Sequence, residues 1–360
     1  MLPEIGSNFW ITPEELEDRV DEMSLSTLGI KGNDEVLLST GRAAQNFVLD
    51  DIERTRSNSK KVALIPPYTC YTVIDPFIRH KYELTTYPVN LSLNTKAEWL
   101  EDAIQKYNPS VVLIHRYFGF DTVQNCEDVI QKYSKQGIVF IEDRTQSLFS
   151  KYPSLPVQYI TGSLRKWGGL PDGGFAISLY GKFKDKPQAY DRKLMEAKVE
   201  ASLDKYAYII NGIGEKEAFL EKYRAAEDIL GAEKDYYSIS PISRKVFSAI
   251  NPHVMGDIRR ANYNFLFAGL EKKEEIHPIF GFADDMIVPL YFLIWVENRT
   301  EVQSYLRENR IYAPVVWPKA GNSPDVCSAA DELYKHVLCI PVDQRYREDD
   351  MNRIVECLMQ

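Results

Sequence analysis

The stretch Gly137-Ile138-Val139-Phe140-Ile141-Glu142-Asp143 decides the fold class, because an apolar run ends abruptly in two acids. Such a run suits a strand that is covered on both faces, as in a parallel sheet. Side chains beyond the carboxyl ends of strands form the sites of open α/β sheets, so both acids are candidate site residues. Similar runs are EVLLS (35–39), KVALIP (61–66), SVVLIH (110–115) and GGFAISL (173–179).

Amphipathic stretches alternate with these runs. In GRAAQNFVLDDIERTR (41–56), apolar residues recur at helical spacing on one face, and TKAEWLEDAIQKY (95–107) and CEDVIQKYSKQ (126–136) show the same period. Strand–helix–strand alternation predicts a three-layer α/β/α domain.

The domain organisation follows from a change in character along the chain. An N-terminal arm opens with a predicted capping box of Thr12 and Glu15 around Pro13. Charged helical patterns follow the α/β part at 191–203 and 215–230, and mixed strands and helices fill the remainder. We therefore predict a large domain over 1–245, arm included, and a smaller α+β domain over 246–360.

Composition excludes several classes of protein. The chain has 360 residues, 44% of them hydrophobic and 26% charged, and a net charge of −9, which disfavours nucleic acid and anionic membranes as partners. The apolar stretch 287–296 is half the length of a spanning helix, which needs about 20 residues. Five cysteines without a CxxC pair and no signal-peptide pattern predict a reduced, cytoplasmic protein. No zinc-ligand spacing, phosphate-loop motif or GxSxG motif is present, so we expect no metal site.

Three segments carry candidate chemistry. In Ser39–Gln45 a strand turns into a helix at Gly41 and Arg42, where open backbone N–H groups suit a phosphate; an ordinary turn is the alternative. In Glu142–Gln146 a carboxylate could pair with a buried cation such as a protonated pyridine nitrogen; the alternatives are a helix cap or a surface ion pair. In Ile160–Phe175, Lys166 lies between small hydroxyl residues and a glycine-rich return, where a lysine can react with an aldehyde; a solvated lysine is the alternative.

Together these segments suit pyridoxal 5′-phosphate (PLP), which needs a phosphate cup, an acid for its ring nitrogen and a lysine for its aldehyde. The chain also resembles fold-type I PLP enzymes, and within them the DegT/StrS family of sugar aminotransferases. The segments that carry the resemblance are STGRAAQNF, IPPYTCYTVIDPF, VVLIHRYFGF, VFIEDRTQSLFS, ITGSLRKWGGLPDGGFAIS, RRANYNFL, ENRIYAPVVWP and VLCIPVDQRYREDDMNRIV.

The resemblance implies a role for each matching residue. Lys166 would bind the cofactor's aldehyde and then move the proton between substrate carbon and cofactor carbon. Asp143 would keep the pyridine nitrogen protonated, and Gln146 would lie against the cofactor ring. Gly41 and Arg42 would give N–H groups to the phosphate, with a hydroxyl from Thr161 or Ser163.

The chain also departs from the family pattern. Cys70 stands where the family has an aromatic residue stacked on the cofactor, so Tyr68 or Tyr71 would substitute, or the stack is missing. Arg42 stands where the family has a hydroxyl residue and Arg144 where it has a small one, and either arginine could add charge beside the phosphate or bind a substrate anion.

The resemblance implies a homodimeric aminotransferase that moves an amino group from a glutamate-like donor to a nucleotide-linked keto-sugar, as in polysaccharide biosynthesis. Two alternatives remain open: a PLP-dependent sugar dehydratase or eliminase, and a non-catalytic binding or scaffold protein of the same fold.

Overall fold

The computed structural model describes residues 3–17, 25–56, 60–232, 235–321 and 323–360. The strands are β1 (Ile5–Gly6), β2 (Asp34–Leu38), β3 (Val62–Ile65), β4 (Glu83–Thr86), β5 (Val111–His115), β6 (Val139–Asp143), β7 (Tyr159–Ser163), β8 (Gly174–Ser178), β9 (His277–Pro278), β10 (Phe292–Trp295), β11 (Ile311–Tyr312) and β12 (Val337–Ile340). The α-helices are α1 (Gly41–Thr55), α2 (Tyr71–Arg79), α3 (Ala97–Tyr107), α4 (Glu127–Lys135), α5 (Arg192–Asn211), α6 (Lys216–Ala232), α7 (Pro241–Ser248), α8 (Pro252–Leu270), α9 (Arg299–Glu308), α10 (Ser328–His336) and α11 (Glu348–Leu358).

The predicted α/β class is confirmed. All five apolar runs form strands, and the three amphipathic stretches of the N-terminal half form α1, α3 and α4. Among the described residues, seven strands belong to one mostly parallel sheet. Within that part of the chain, no helix combines the length and the apolar character that crossing a bilayer requires.

The chain divides into two compact units. The first unit comprises 1–7, 52–160 and 252–360, and the second comprises 8–51 and 161–251. The domain boundary near residue 245 remains a prediction.

The first unit contains four parallel strands in the order β6-β5-β3-β4. Every residue of β3, β5 and β6 is buried, as the apolar runs predict for strands that are covered on both faces. The register pairs His115 with Asp143, so the last residues of β5 and β6 lie side by side. The C-terminal part of this unit adds an antiparallel sheet in the order β12-β10-β9.

The second unit pairs β2 antiparallel with β8 and packs α5 against α6. The predicted capping box is confirmed, since the Glu15 N–H donates to Thr12 Oγ1 and the Thr12 N–H to Glu15 Oε2. The helix it opens is a short 3₁₀ turn over Pro13–Leu16. Residues 18–20 of the predicted arm helix lie outside the described residues.

Candidate active site

Asp143 ends β6 with its side chain buried in the first unit. Its Oδ1 accepts a hydrogen bond from the Thr145 N–H at 2.7 Å, and its Oδ2 lies 3.8 Å from His115 Nδ1. Within the described part of this unit, His115 is the sole ionisable base within 4.0 Å of the Asp143 carboxylate. The carboxylate can therefore still bind a cation.

His115 is itself buried. Burial lowers its pKa, and the neighbouring Asp143 carboxylate opposes that effect more weakly. The imidazole is therefore neutral at neutral pH. Its Nε2 lies 3.0 Å from Thr69 Oγ1, whereas Nδ1 has no hydrogen-bond partner. A tautomer with its proton on Nδ1 points an N–H dipole at Asp143 and accepts the Thr69 hydroxyl proton at Nε2.

Gln146 lies in the turn after Asp143 and is also buried. Its Oε1 accepts the Phe118 N–H at 2.8 Å, and its Nε2 has no hydrogen-bond partner. An unpaired buried amide donor is costly, so Nε2 is a candidate contact for a bound molecule.

The surroundings of Cys70 show where the two candidate stacking residues, Tyr68 and Tyr71, lie. Tyr68 is fully buried, and its hydroxyl donates to the Val316 carbonyl at 2.7 Å, so its ring belongs to the protein core. Tyr71 is 44% exposed, and its hydroxyl donates to Asp75. Cys70 lies before the first residue of α2 and is half-buried.

Trp317 is a site candidate that sequence reasoning missed. Its ring centroid lies 6.3 Å from that of His115 and 5.4 Å from that of Tyr68. Unlike Tyr68 it is only half-buried. The sequence signal was the aromatic residue within ENRIYAPVVWP, a segment that we used for the resemblance alone.

Arg144 does not present a free guanidinium. Its Nε donates to Glu142 Oε1 at 2.9 Å and its Nη2 to the Tyr152 carbonyl at 3.1 Å. Arg116 donates to the same Glu142 oxygen at 3.0 Å. Arg144 is thus committed to a buried carboxylate of its own unit. Arg42, in the second unit, donates to the Gly231 carbonyl at 3.3 Å.

In the second unit, α1 begins where β7 and β8 approach it closely. A Cβ atom on Gly41 would lie 3.1 Å from Ser163 Cβ, and one on Gly174 would lie 2.6 Å from the Gly41 nitrogen. The glycines therefore permit a tight turn against the first amides of α1. Thr40 Oγ1 accepts the Ala43 N–H at 3.0 Å. This geometry suits the predicted phosphate site.

The two candidate hydroxyls differ in their surroundings. Thr161 is 1% exposed, and its Oγ1 has no hydrogen-bond partner. Ser163 Oγ lies 3.5 Å from the Gly173 carbonyl. Thr161 and Ser163 are two residues apart in β7, so their side chains lie on the same face of the strand. This is the face on which Ser163 lies close to Gly41. The unpaired hydroxyl of Thr161 favours it as the phosphate contact.

Lys166 lies in a turn after β7 and is exposed. Trp167 beside it is fully buried, which agrees with a packing anchor. The backbone of the arm lies under this turn, since a Cβ on Gly169 would be 2.3 Å from the Trp10 carbonyl oxygen. The structure thus places Asp143, Gln146, Cys70 and Tyr71 in the first unit. It places Gly41, Arg42, Thr161, Ser163 and Lys166 in the second.

No protein-family model matches the chain, and no curated protein matches it. Solved structures do match over nearly the whole length. The sugar aminotransferase CalS13 from Micromonospora echinospora is 16% identical, covers 92% of this chain and 88% of its own, and gives a TM-score of 0.65. A DegT DnrJ EryC1 StrS aminotransferase from Brucella abortus is 16% identical, with 98% and 91% covered and a TM-score of 0.64. Spr1654 from Streptococcus pneumoniae in its PLP form is 14% identical, with 98% and 97% covered and a TM-score of 0.68.

The chain therefore has the fold of these aminotransferases, and the predicted fold-type I architecture is confirmed. At such identities the likeness establishes the fold alone. The activity has to be argued from the residues.

Proposed function

We propose that this protein is a PLP-dependent aminotransferase that carries an amino group from a glutamate-like donor to a nucleotide-linked keto-sugar. The observation that carries the proposal is the environment of Asp143. A buried carboxylate at the end of a central strand faces a neutral histidine, and no arginine or lysine of its own unit neutralises it. A protonated pyridine nitrogen is a cation suited to that position.

The residues of the chain fit the cofactor in three further respects. The first amides of α1 and the unpaired Thr161 hydroxyl suit its phosphate. The unpaired Nε2 of Gln146 can donate to an oxygen on its ring. Lys166, on an exposed turn, can reach an aldehyde. When bound, the cofactor supplies an electron sink for the bonds at the substrate's amino-bearing carbon.

Each residue then has one task. Asp143 would hold the proton on the ring nitrogen, with its carboxylate oriented by the Thr145 N–H and facing the His115 imidazole. Lys166 would take the proton from the donor's α-carbon and pass it on within the site. In the second half-reaction the same amine would return a proton to the acceptor's carbon.

The first experiment is an absorbance spectrum of the purified protein with PLP, followed by borohydride reduction and peptide mapping. We expect a visible band and a reduced adduct on Lys166. Lys166→Ala should lose both, whereas Lys184→Ala, which removes another lysine of the same unit, should keep both. A folded protein without band or adduct would contradict the proposal and favour the non-catalytic reading.

The second experiment identifies the reaction. The loaded protein is incubated with ¹⁵N-glutamate and a panel of nucleotide-linked keto-sugars, and the products are analysed by mass spectrometry. We expect ¹⁵N in the sugar. Loss of water from the sugar without gain of nitrogen would instead identify a dehydratase. Asp143→Asn should sharply reduce turnover, and Asp102→Asn, on the exposed surface of α3, should not.

The proposal includes a homodimer, as the family resemblance implies. Light scattering on the eluted protein tests it, and a mass equal to one chain at micromolar concentration would contradict it.

A further inference from the structure

Three cationic side chains of the second unit converge on the C-terminal half of α6. Arg165 Nη1 lies 3.5 Å from Glu227 Oε1, and Lys198 Nζ donates to the same oxygen. Arg42 Nη1 donates to the Gly231 carbonyl at 3.3 Å. Glu227 and Gly231 are four residues apart, so the contacts lie one helical turn apart on one side of α6.

The Glu227 carboxylate is the shared partner of Arg165 and Lys198. Partial desolvation of Glu227, whose side chain is half-exposed, raises its pKa, but the charges of Arg165 and Lys198 outweigh this and lower the pKa to about 2. Lys198 is only 5% exposed, and burial, reinforced by Arg165, lowers its pKa to about 8 despite Glu227. Asp172, also near Arg165, is occupied by hydrogen bonds from the Ser240 N–H and hydroxyl. Arg42, Arg165 and Lys198 carry three positive charges against the two negative charges of Glu227 and Asp172, so these groups together remain positive.

This cluster adjoins the first turn of α1. A Cβ on Gly41 would lie 3.1 Å from Ser163 Cβ, so the start of α1 lies close to the end of β7. Arg42 follows Gly41 directly, and Arg165 comes two residues after Ser163. The backbones of both arginines therefore lie near the first amides of α1 and the end of β7, the strand that carries the unpaired Thr161 hydroxyl.

We propose that Arg42 and Arg165 form a cationic pair that supplies positive charge, from within one chain, to a dianionic phosphate at the first turn of α1. The inference rests on the proposed function, since it concerns the phosphate end of the same cofactor. Arg165 contributes through its charge, and α6 holds its guanidinium in place through Glu227. Arg42 is held in the same way by the Gly231 carbonyl.

The experiment compares two probes that share an aldehyde and differ in the phosphate. The dissociation constants of PLP and of pyridoxal are measured by absorbance titration at low salt, for wild type and for Arg165→Met. We expect Arg165→Met to weaken PLP binding roughly tenfold, as for a unit charge about 10 Å away near a protein surface. Pyridoxal binding should stay within about twofold, since its contacts do not involve the charge. Arg42→Met should likewise weaken PLP binding and leave pyridoxal binding within about twofold.

Two further variants separate charge from structure. Arg165→Lys keeps the charge and should recover most of the PLP affinity. Arg192→Met removes an exposed arginine of the same unit, whose side chain is 82% exposed, and should change neither constant. Added salt should reduce the difference in PLP dissociation constant between wild type and Arg165→Met, because salt screens the charge.

The outcomes distinguish this inference from the proposed function. If wild type binds neither probe, the proposed function fails. If wild type binds PLP and Arg165→Met and Arg42→Met leave the ratio of the two constants unchanged, only the cationic pair is refuted. Equal weakening of both probes would also refute it, because the loss would then be structural.

Discussion

Glu142 is the acid of the decisive stretch that pairs with two arginines, and it gives the sharpest stability prediction. It is fully buried. Its Oε1 accepts Arg116 at 3.0 Å and Arg144 at 2.9 Å, and its Oε2 accepts the Leu155 N–H at 3.2 Å. Glu142→Gln keeps the shape of the side chain and removes its charge, which leaves two buried guanidiniums without their shared counter-charge.

Breaking a buried ion pair on one side costs about 3–5 kcal/mol, because the remaining charge stays desolvated. Arg116 retains Asp121, whose Oδ1 accepts its Nε at 3.1 Å, whereas Arg144 retains only the Tyr152 carbonyl. We therefore expect a loss near 3 kcal/mol, at the lower end of that range.

Urea unfolding followed by circular dichroism measures the loss as a shift of the first transition. The matched control is Glu53→Gln, which removes the partly exposed carboxylate that pairs with Lys61 and His80 and should cost at most about 1 kcal/mol. Glu142→Leu combined with Arg116→Met and Arg144→Met should recover most of the loss, because a buried charge cluster can often be replaced by apolar groups. A loss from Glu142→Gln no larger than that of the control would refute the reasoning.

Three other changes give distinct expectations. Gly169→Ala should destabilise the protein by about 1–3 kcal/mol, because its Cβ would lie 2.3 Å from the Trp10 carbonyl oxygen, whereas Gly181→Ala, with nothing within 4 Å, should be neutral; thermal melts compare them. Burial lowers the pKa of Lys198 from 10.5 to about 8, so Lys198 of the unfolded chain binds more protons across that window, and the contribution of Lys198 to stability rises with pH there by about 3 kcal/mol. Urea midpoints measured at pH 8 and 10.5 should show that Lys198→Met lacks this rise. If the midpoints of wild type and of Lys198→Met changed equally with pH, the prediction would be wrong. Thr12→Ala should cost about 1 kcal/mol through the lost capping box, and an unchanged melt would show that the arm does not limit stability.

The elements that were predictable from the sequence are those whose burial is complete. β3, β5 and β6 are buried along their whole length, so their residues are apolar throughout and the pattern is unmistakable. β4 escaped prediction because Glu83–Thr86 is polar; it pairs only with β3, and none of its residues is fully buried. β7 escaped because Gly162 interrupts it, and the glycine is needed there because a Cβ would lie 2.5 Å from the Phe175 ring.

Part of the candidate site was also predictable, because strand ends are fixed by the strands themselves. The rule that sites lie beyond carboxyl ends pointed to Asp143, and the register then brings His115 beside it. Trp317 could not be found in this way, since it lies in irregular structure far along the chain, and only tertiary packing brings its ring to His115. The pairing of Arg144 was not predicted either, although Glu142 lies only two residues before it, because both carboxylates of the stretch were considered as site residues alone.

The two consecutive acids, Glu142 and Asp143, have different surroundings. Successive side chains of a strand point to opposite faces, so Glu142 and Asp143 meet different partners although they are adjacent in sequence. On one face Glu142 finds two arginines, which satisfy its charge and fix the segments that follow β5 and β6. On the other face the carboxylate of Asp143 accepts the Thr145 N–H and faces a buried imidazole, and burial lowers the pKa of that imidazole. Within the described part of the first unit, both arginines near this pair of acids bind Glu142, as the proposed pairing of Asp143 with a positively charged ring requires.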